Sequence, residues 1–108
     1  MRTGDIILVP FPFAELSNVK LRPAVVVSVT KDKFQDIIIA ATSSVVPAKL
    51  SDNEMFIFPS SANKLKTQSV LKVDRLATVK QLDVVASLGH LDLSELNIFK
   101  TIFKELVD

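Results

Sequence analysis

Arg22 stands at the start of one β-branched run, Pro23–Val29 (PAVVVSV), and Thr42 at the end of another, Asp36–Thr42 (DIIIAAT). Both runs have strand length, and the polar stretch Thr30-Lys31-Asp32-Lys33 between them reads as the turn of a hairpin. Antiparallel partners in a hairpin have residue numbers of constant sum, so a turn centred on Asp32 sets Arg22 opposite Thr42. Opposed residues lie about 4.5–5.5 Å apart at Cα and share a sheet face, which would bring a guanidinium and a hydroxyl together at the open end of the hairpin. A planar, permanently charged fork of this kind can give two hydrogen bonds to phosphate oxygens, and the alcohol can add a third. A slip of one residue would put Ser43 in the place of Thr42, which makes Ser43 the second candidate. Alternatively, Arg22 could merely cap the fold through an ion pair with Glu15 or Asp74.

Pro23 cannot donate to a ladder and is tolerated at the first residue of a strand, which places Arg22 at a strand mouth. The polar segment from Ala14 to Leu21, with Glu15 and Lys20, has the composition of a loop that could cover a ligand there. Lys72 and Asp74 share a face if Val73 between them points inward. Lys72 could then bind phosphate and Asp74 accept a proton, or the two could form an ordinary surface ion pair. His90, between Gly89 and Leu91, reads as a turn or packing residue. The absence of cysteine excludes disulfides, a thiolate zinc site and a cysteine nucleophile. No cluster of His, Asp and Glu has ligand spacing, and the two glycines, Gly4 and Gly89, make no phosphate loop. Neither a metal nor a cofactor is expected.

The elements that must position these residues follow from apolar spacing. A chain of 108 residues with 48% hydrophobic and 23% charged residues has the size and composition of one folded domain, 1–108. Strands are expected at Asp5–Pro10, at the two runs of the hairpin, and at Glu54–Phe58, Ser69–Val73, Arg75–Val79 and Val84–Leu88, suggesting a small barrel or half-barrel. From Asp92 the period changes. Leu96, Phe99, Ile102, Phe103 and Leu106 recur at helical steps, with Asp92 or Ser94 as the cap, giving a terminal amphipathic helix that covers an apolar sheet face. Net charge is only +1, but residues 1–80 hold eleven Lys/Arg against seven Asp/Glu, and the remainder two against five. A polyanion should therefore prefer the first part. Pro10 and Pro12 break the first apolar run, and no uninterrupted run of about 18 apolar residues occurs, so a soluble cytoplasmic protein without a membrane span is expected.

Four segments together resemble the MazF/PemK toxins of type II toxin–antitoxin pairs. They are Gly4–Pro12 (GDIILVPFP), Lys20–Ser28 (KLRPAVVVS), Ile39–Ser43 (IAATS) and Ser69–Thr78 (SVLKVDRLAT). The resemblance implies a mainly β fold with a C-terminal helix, an SH3-like small barrel of the MazF/PemK/CcdB toxin type. It also implies a homodimer, an antitoxin partner, and metal-independent endoribonuclease action on single-stranded RNA at a short sequence. The family's arginine before proline falls on Arg22, its hydroxyl residue on Thr42, its proposed carboxylate base on Asp74 and a basic residue on Lys72. Lys20, Ser43 and Glu15 would complete the RNA contacts, and Glu15 is a second candidate base. The glycine- and glutamate-containing loop of many members is replaced here by Glu15–Lys20 (ELSNVK), and the arginine that many carry before Thr78 by Ala77. Two other classes compete: a non-catalytic toxin of the gyrase-poisoning type on the same fold, and a plain SH3-like binding module.

Overall fold

Six strands form, four of them rich in β-branched residues. They are β1 (Asp5–Pro10), β2 (Leu21–Val29), β3 (Ile37–Ser43), β4 (Glu54–Ile57), β5 (Ser69–Val79) and β6 (Ala86–His90), followed by helix α1 (Leu93–Val107). The computed structural model describes residues 1–11 and 20–108. The strands make one antiparallel sheet in the order β4-β5-β3-β2-β1-β6, curled into a half-barrel.

Alternation along the strands divides the apolar residues between the two faces. Ile6, Val25, Ala40, Leu71 and Val73 form one cluster with Met55, Ile57, Leu91 and Phe99 of the helix. Ile7, Val9, Ala24, Val26, Ile37, Ile39 and Ala41 form the other, with Phe11 and Val79. The helix covers the first face as its periodicity requires, and Phe99 is its fully buried residue. Its cap is Asp92 rather than Ser94. The Glu95 amide donates to Asp92 Oδ1 at 2.7 Å and the Asp92 amide to Glu95 Oε1 at 3.1 Å, so each residue satisfies an N–H that the first turn leaves open. No helix among the described residues is long and apolar enough to cross a membrane.

Three features differ from the sequence expectation. First, Ser69–Val73 and Arg75–Val79 are one continuous strand, β5, interrupted by a bulge. Ile37–Ala40 pair with Val79–Leu76, but the next β3 residue, Ala41, pairs with Lys72, so Val73, Asp74 and Arg75 have no partner on β3. Second, the last strand begins at Ala86 because Gln81–Asp83 form a single 3-10 turn that delays it. Third, the hairpin turn closes with the Thr30 amide donating to the Asp36 carbonyl at 2.7 Å, which centres it on Lys33. Asp32 Oδ1 dictates that choice by accepting from the Thr30 hydroxyl and the amides of Phe34 and Gln35. A second bulge, at Val27, then shifts the ladder so that Val25 pairs with Ala40 and Ala24 with Ala41.

Candidate active site

The register at the hairpin mouth corrects the expected pairing of Arg22 with Thr42. The last paired residues are Ala24 and Ala41, and continuing their register puts Pro23 opposite Thr42 and, a further step on, Arg22 opposite Ser43. Pro23 has no N–H, and the β2–β3 ladder stops there. In its place the Thr42 hydroxyl donates to the Pro23 carbonyl at 2.6 Å. Thr42 is therefore buried with its proton committed to backbone, and it fixes the spacing of the two strands at the mouth. The Ser43 Oγ accepts from the Val45 amide at 3.1 Å, and its proton has no acceptor among the described residues. Of the two alcohols, Ser43 is the one free to donate beside Arg22. Strand alternation sets Arg22 and Ser43 on the face of Ala24 and Ala41, and Thr42 on the helix-side face of Ala40.

Two clefts open at this end of the sheet and share Arg22, Thr42 and Ser43 as the ridge between them. The smaller, about 240 Å³, is completed by Phe11, Ala41, Lys72 and Arg75. The larger, about 680 Å³, runs over Lys20, Leu21, Lys64, Leu65, Lys66 and Leu88. Together they hold six of the chain's 13 lysines and arginines, and no carboxylate lines either among the described residues. Such a one-signed groove attracts a polyanion. Asp74 is exposed on the β5 bulge and is not among the residues lining either cleft. Glu15 and the rest of Ala14–Val19, the greater part of the Ala14–Leu21 segment expected to cover the mouth, lie outside the described residues. No group of three or more His, Asp or Glu placed to hold a metal occurs among the described residues.

Residues 2–107 match the family model described as PemK-like, MazF-like toxin of type II toxin-antitoxin system. The chain belongs to that family. Its fold is similar to that of the Mycobacterium tuberculosis toxin MazF-mt6, with a TM-score of 0.70 at 16% identity over 96% of each chain. It is similar also to an endoribonuclease in complex with its cognate antitoxin from mycobacterial species, with a TM-score of 0.71 at 12% identity over 99% of this chain and 94% of that one. No curated protein sequence matches it.

Within this MazF/PemK-like toxin, Lys72 pairs with Glu54 and not with Asp74: Nζ lies 3.2 Å from Glu54 Oε2, across the β4–β5 ladder. Val73 does point inward as expected, and is fully buried. The Ser51 amide, donating to Glu54 Oε1 at 2.8 Å, and next the Lys72 ammonium hold the Glu54 carboxyl below its ordinary 4.5, against burial that acts the other way. A folded-state value below the unfolded one means the contribution is complete above pH 4.5 and is lost as pH falls through the lowered value. Wild type should therefore exceed Glu54→Gln in stability by about 1 kcal/mol at neutral pH, with the gap closing only below pH 4.5. Paired denaturant titrations between pH 7 and pH 3 would show it, and a gap that grows on acidification would exclude this role.

Three cleft residues escaped the sequence reading. Lys64 and Lys66 sit on the connection between β4 and β5, which is ordered by Asn63. That side chain is fully buried, accepts from the amides of Ser60 and Leu65 at 3.0 and 2.9 Å, and donates to the Phe58 carbonyl at 2.8 Å. An asparagine beside a lysine pair in a polar stretch is the available signal, but it does not say where the loop is anchored. Arg75 reaches the smaller cleft through the β5 bulge, which alternation alone does not reveal. His90, expected in a turn or in packing, is the last residue of β6, paired with Asp5, with Nδ1 2.9 Å from the Leu91 carbonyl.

Proposed function

We propose that this toxin is a metal-independent, sequence-selective endoribonuclease acting on single-stranded RNA in the cytoplasm, as a homodimer restrained by an antitoxin. The observation that carries the proposal is the cleft that Arg22, Thr42 and Ser43 line together with no carboxylate among its described lining residues. RNA brings its own nucleophile. The ribose 2′-oxygen gives its proton to a base and attacks the adjacent phosphorus, the bond from phosphorus to the 5′-oxygen breaks, and that oxygen takes a proton from water, so the fragments carry a 2′,3′-cyclic phosphate and a 5′-hydroxyl. The protein must then hold the chain in line and neutralise charge building on the phosphoryl oxygens.

Arg22 supplies the charge and the paired donors. Ser43 offers the free hydroxyl, and Thr42, which lines both clefts, holds the mouth at its width. Lys20 and Lys72 bind flanking phosphates, and Glu15, the second candidate base, takes the proton from the 2′-hydroxyl, since Asp74 lines neither cleft. A disordered acidic or apolar antitoxin segment laid across Arg22 and Lys20 would compete for the same surface. The neighbour that is an endoribonuclease bound to its cognate antitoxin supports both halves of this assignment.

The purified protein should cleave unstructured RNA in the presence of a chelator and leave cyclic phosphate ends. End analysis of the fragments tests this directly: a strict metal requirement, or 3′-hydroxyl ends, would refute the mechanism. Intact RNA together with inhibition of a protein target such as gyrase would move the chain to the non-catalytic toxin class.

A further inference from the structure

We propose that Arg75 is a second phosphate-binding guanidinium of the smaller cleft, forming with Arg22 a paired-arginine seat for one phosphodiester of the RNA chain. The proposal rests on the nuclease assignment above for the identity of its ligand, but its geometry stands apart from it.

The bulge is what delivers this side chain. Val73 anchors it from inside, buried in the helix-side cluster with its amide donating to the Asn53 carbonyl at 2.9 Å. Two residues further on, before pairing with β3 resumes at Leu76, Arg75 comes to line the cleft that Arg22 lines from β2. Neither arginine has an ion-pair partner among the described residues, whereas Lys72, the third cation of the cleft, is held by Glu54. Two unpaired guanidiniums in one small cleft repel each other, and a bound anion reverses the sign of that interaction. The space, about 240 Å³, equals that of about eight waters, enough for a phosphate group and too little for a packed helix.

The strand position of Ala77 strengthens the assignment. Ala77 packs against the cluster of Ile7 and Val9, so no cation stands there, and the charge of this strand at the cleft comes from Lys72 and Arg75. Arginine at position 75 is suited to the task because its planar fork can share two hydrogen bonds with one phosphate.

The test uses wild type, Arg75→Ala and Arg75→Lys in two arms. In the first, inorganic phosphate is titrated while the arginine side-chain NMR signals are followed. Arg22 and Arg75 should shift together in wild type, and the Arg22 response should weaken severalfold in Arg75→Ala. An Arg75 signal that does not respond overturns the pair whether or not RNA is cleaved. In the second, binding of a 2′-O-methyl oligonucleotide, which cannot be cleaved, is measured against salt. Arg75→Ala should bind about tenfold more weakly, and the slope of log affinity against log salt should shrink by about 0.7, the value for one phosphate contact on a single strand. Arg75→Lys should restore the slope and only part of the affinity, an outcome that loss of fold would not give. An unchanged slope in Arg75→Ala refutes the contact. Phosphate binding with intact RNA would refute the nuclease assignment and leave the paired seat standing.

Discussion

Arg22→Ala is expected to lower the rate of RNA cleavage by roughly 10²–10³, the loss typical of deleting one preorganised group that stabilises charge in the transition state. The effect should fall on kcat more than on KM, because Lys20, Lys64 and Lys66 continue to hold the chain in the larger cleft while the charge developing on phosphorus loses its nearest partner. Folding should be untouched. The Arg22 side chain is exposed and has no ion pair among the described residues, so its removal leaves no buried charge unpaired. The β1–β2 ladder through Val9 depends only on backbone. Arg22→Lys should recover a minority of the rate, since it keeps the charge but not the paired donors. Single-turnover cleavage beside thermal melts of all three proteins decides the matter: a rate within threefold of wild type for the alanine variant would remove Arg22 from the reaction.

How far the sequence carries such a prediction differs between fold and site. The β-branched runs, the inward Val73 and the helix of Phe99 and Phe103 are visible because each depends on local composition and period, and burial then acts along the pattern already written. Register is another matter. Whether Arg22 meets Thr42 or Ser43 depends on which residue centres a turn and whether a strand carries an extra residue. Three hydrogen bonds to Asp32 Oδ1 and one bulge at Val27 decide it. The tripeptide Val73-Asp74-Arg75 alternates like any strand, and only its pairing with β3 shows the bulge that sends Arg75 into the cleft. Lys72 illustrates the same point from the other side. Its nearest carboxylate in sequence is Asp74, yet it pairs with Glu54, which the chain brings back on the neighbouring strand. Local pattern thus writes the elements, while long-range pairing writes the site.

Gly89→Ala should destabilise the protein by on the order of 3 kcal/mol, because backbone rather than a movable side chain occupies the space a Cβ needs. A Cβ at Gly89 would overlap the carbonyl oxygen of Ala62 and stand 2.9 Å from its carbonyl carbon and 3.1 Å from Asn63 Cα. That close approach is structural. The His90 amide donates to the same Ala62 carbonyl at 3.1 Å, fastening β6 to the loop that Asn63 organises. The neighbouring residues Lys64, Leu65 and Lys66 line the larger cleft, so relieving the overlap must displace the segment that carries two of its cations. Melting should occur roughly 10 °C lower than in wild type. At a temperature where both proteins are folded, oligonucleotide affinity should also fall, with the salt dependence reduced by the contribution of up to two phosphate contacts. The contrast with Gly4 sharpens the expectation: a Cβ there would meet the flexible Leu96 side chain and not the backbone of the cleft loop, so Gly4→Ala, strained by its φ of +94°, should cost stability but leave the salt slope alone. If Gly89→Ala melts within 2 °C of wild type, the loop is not fastened as described, and the larger cleft would have to be held open by other means.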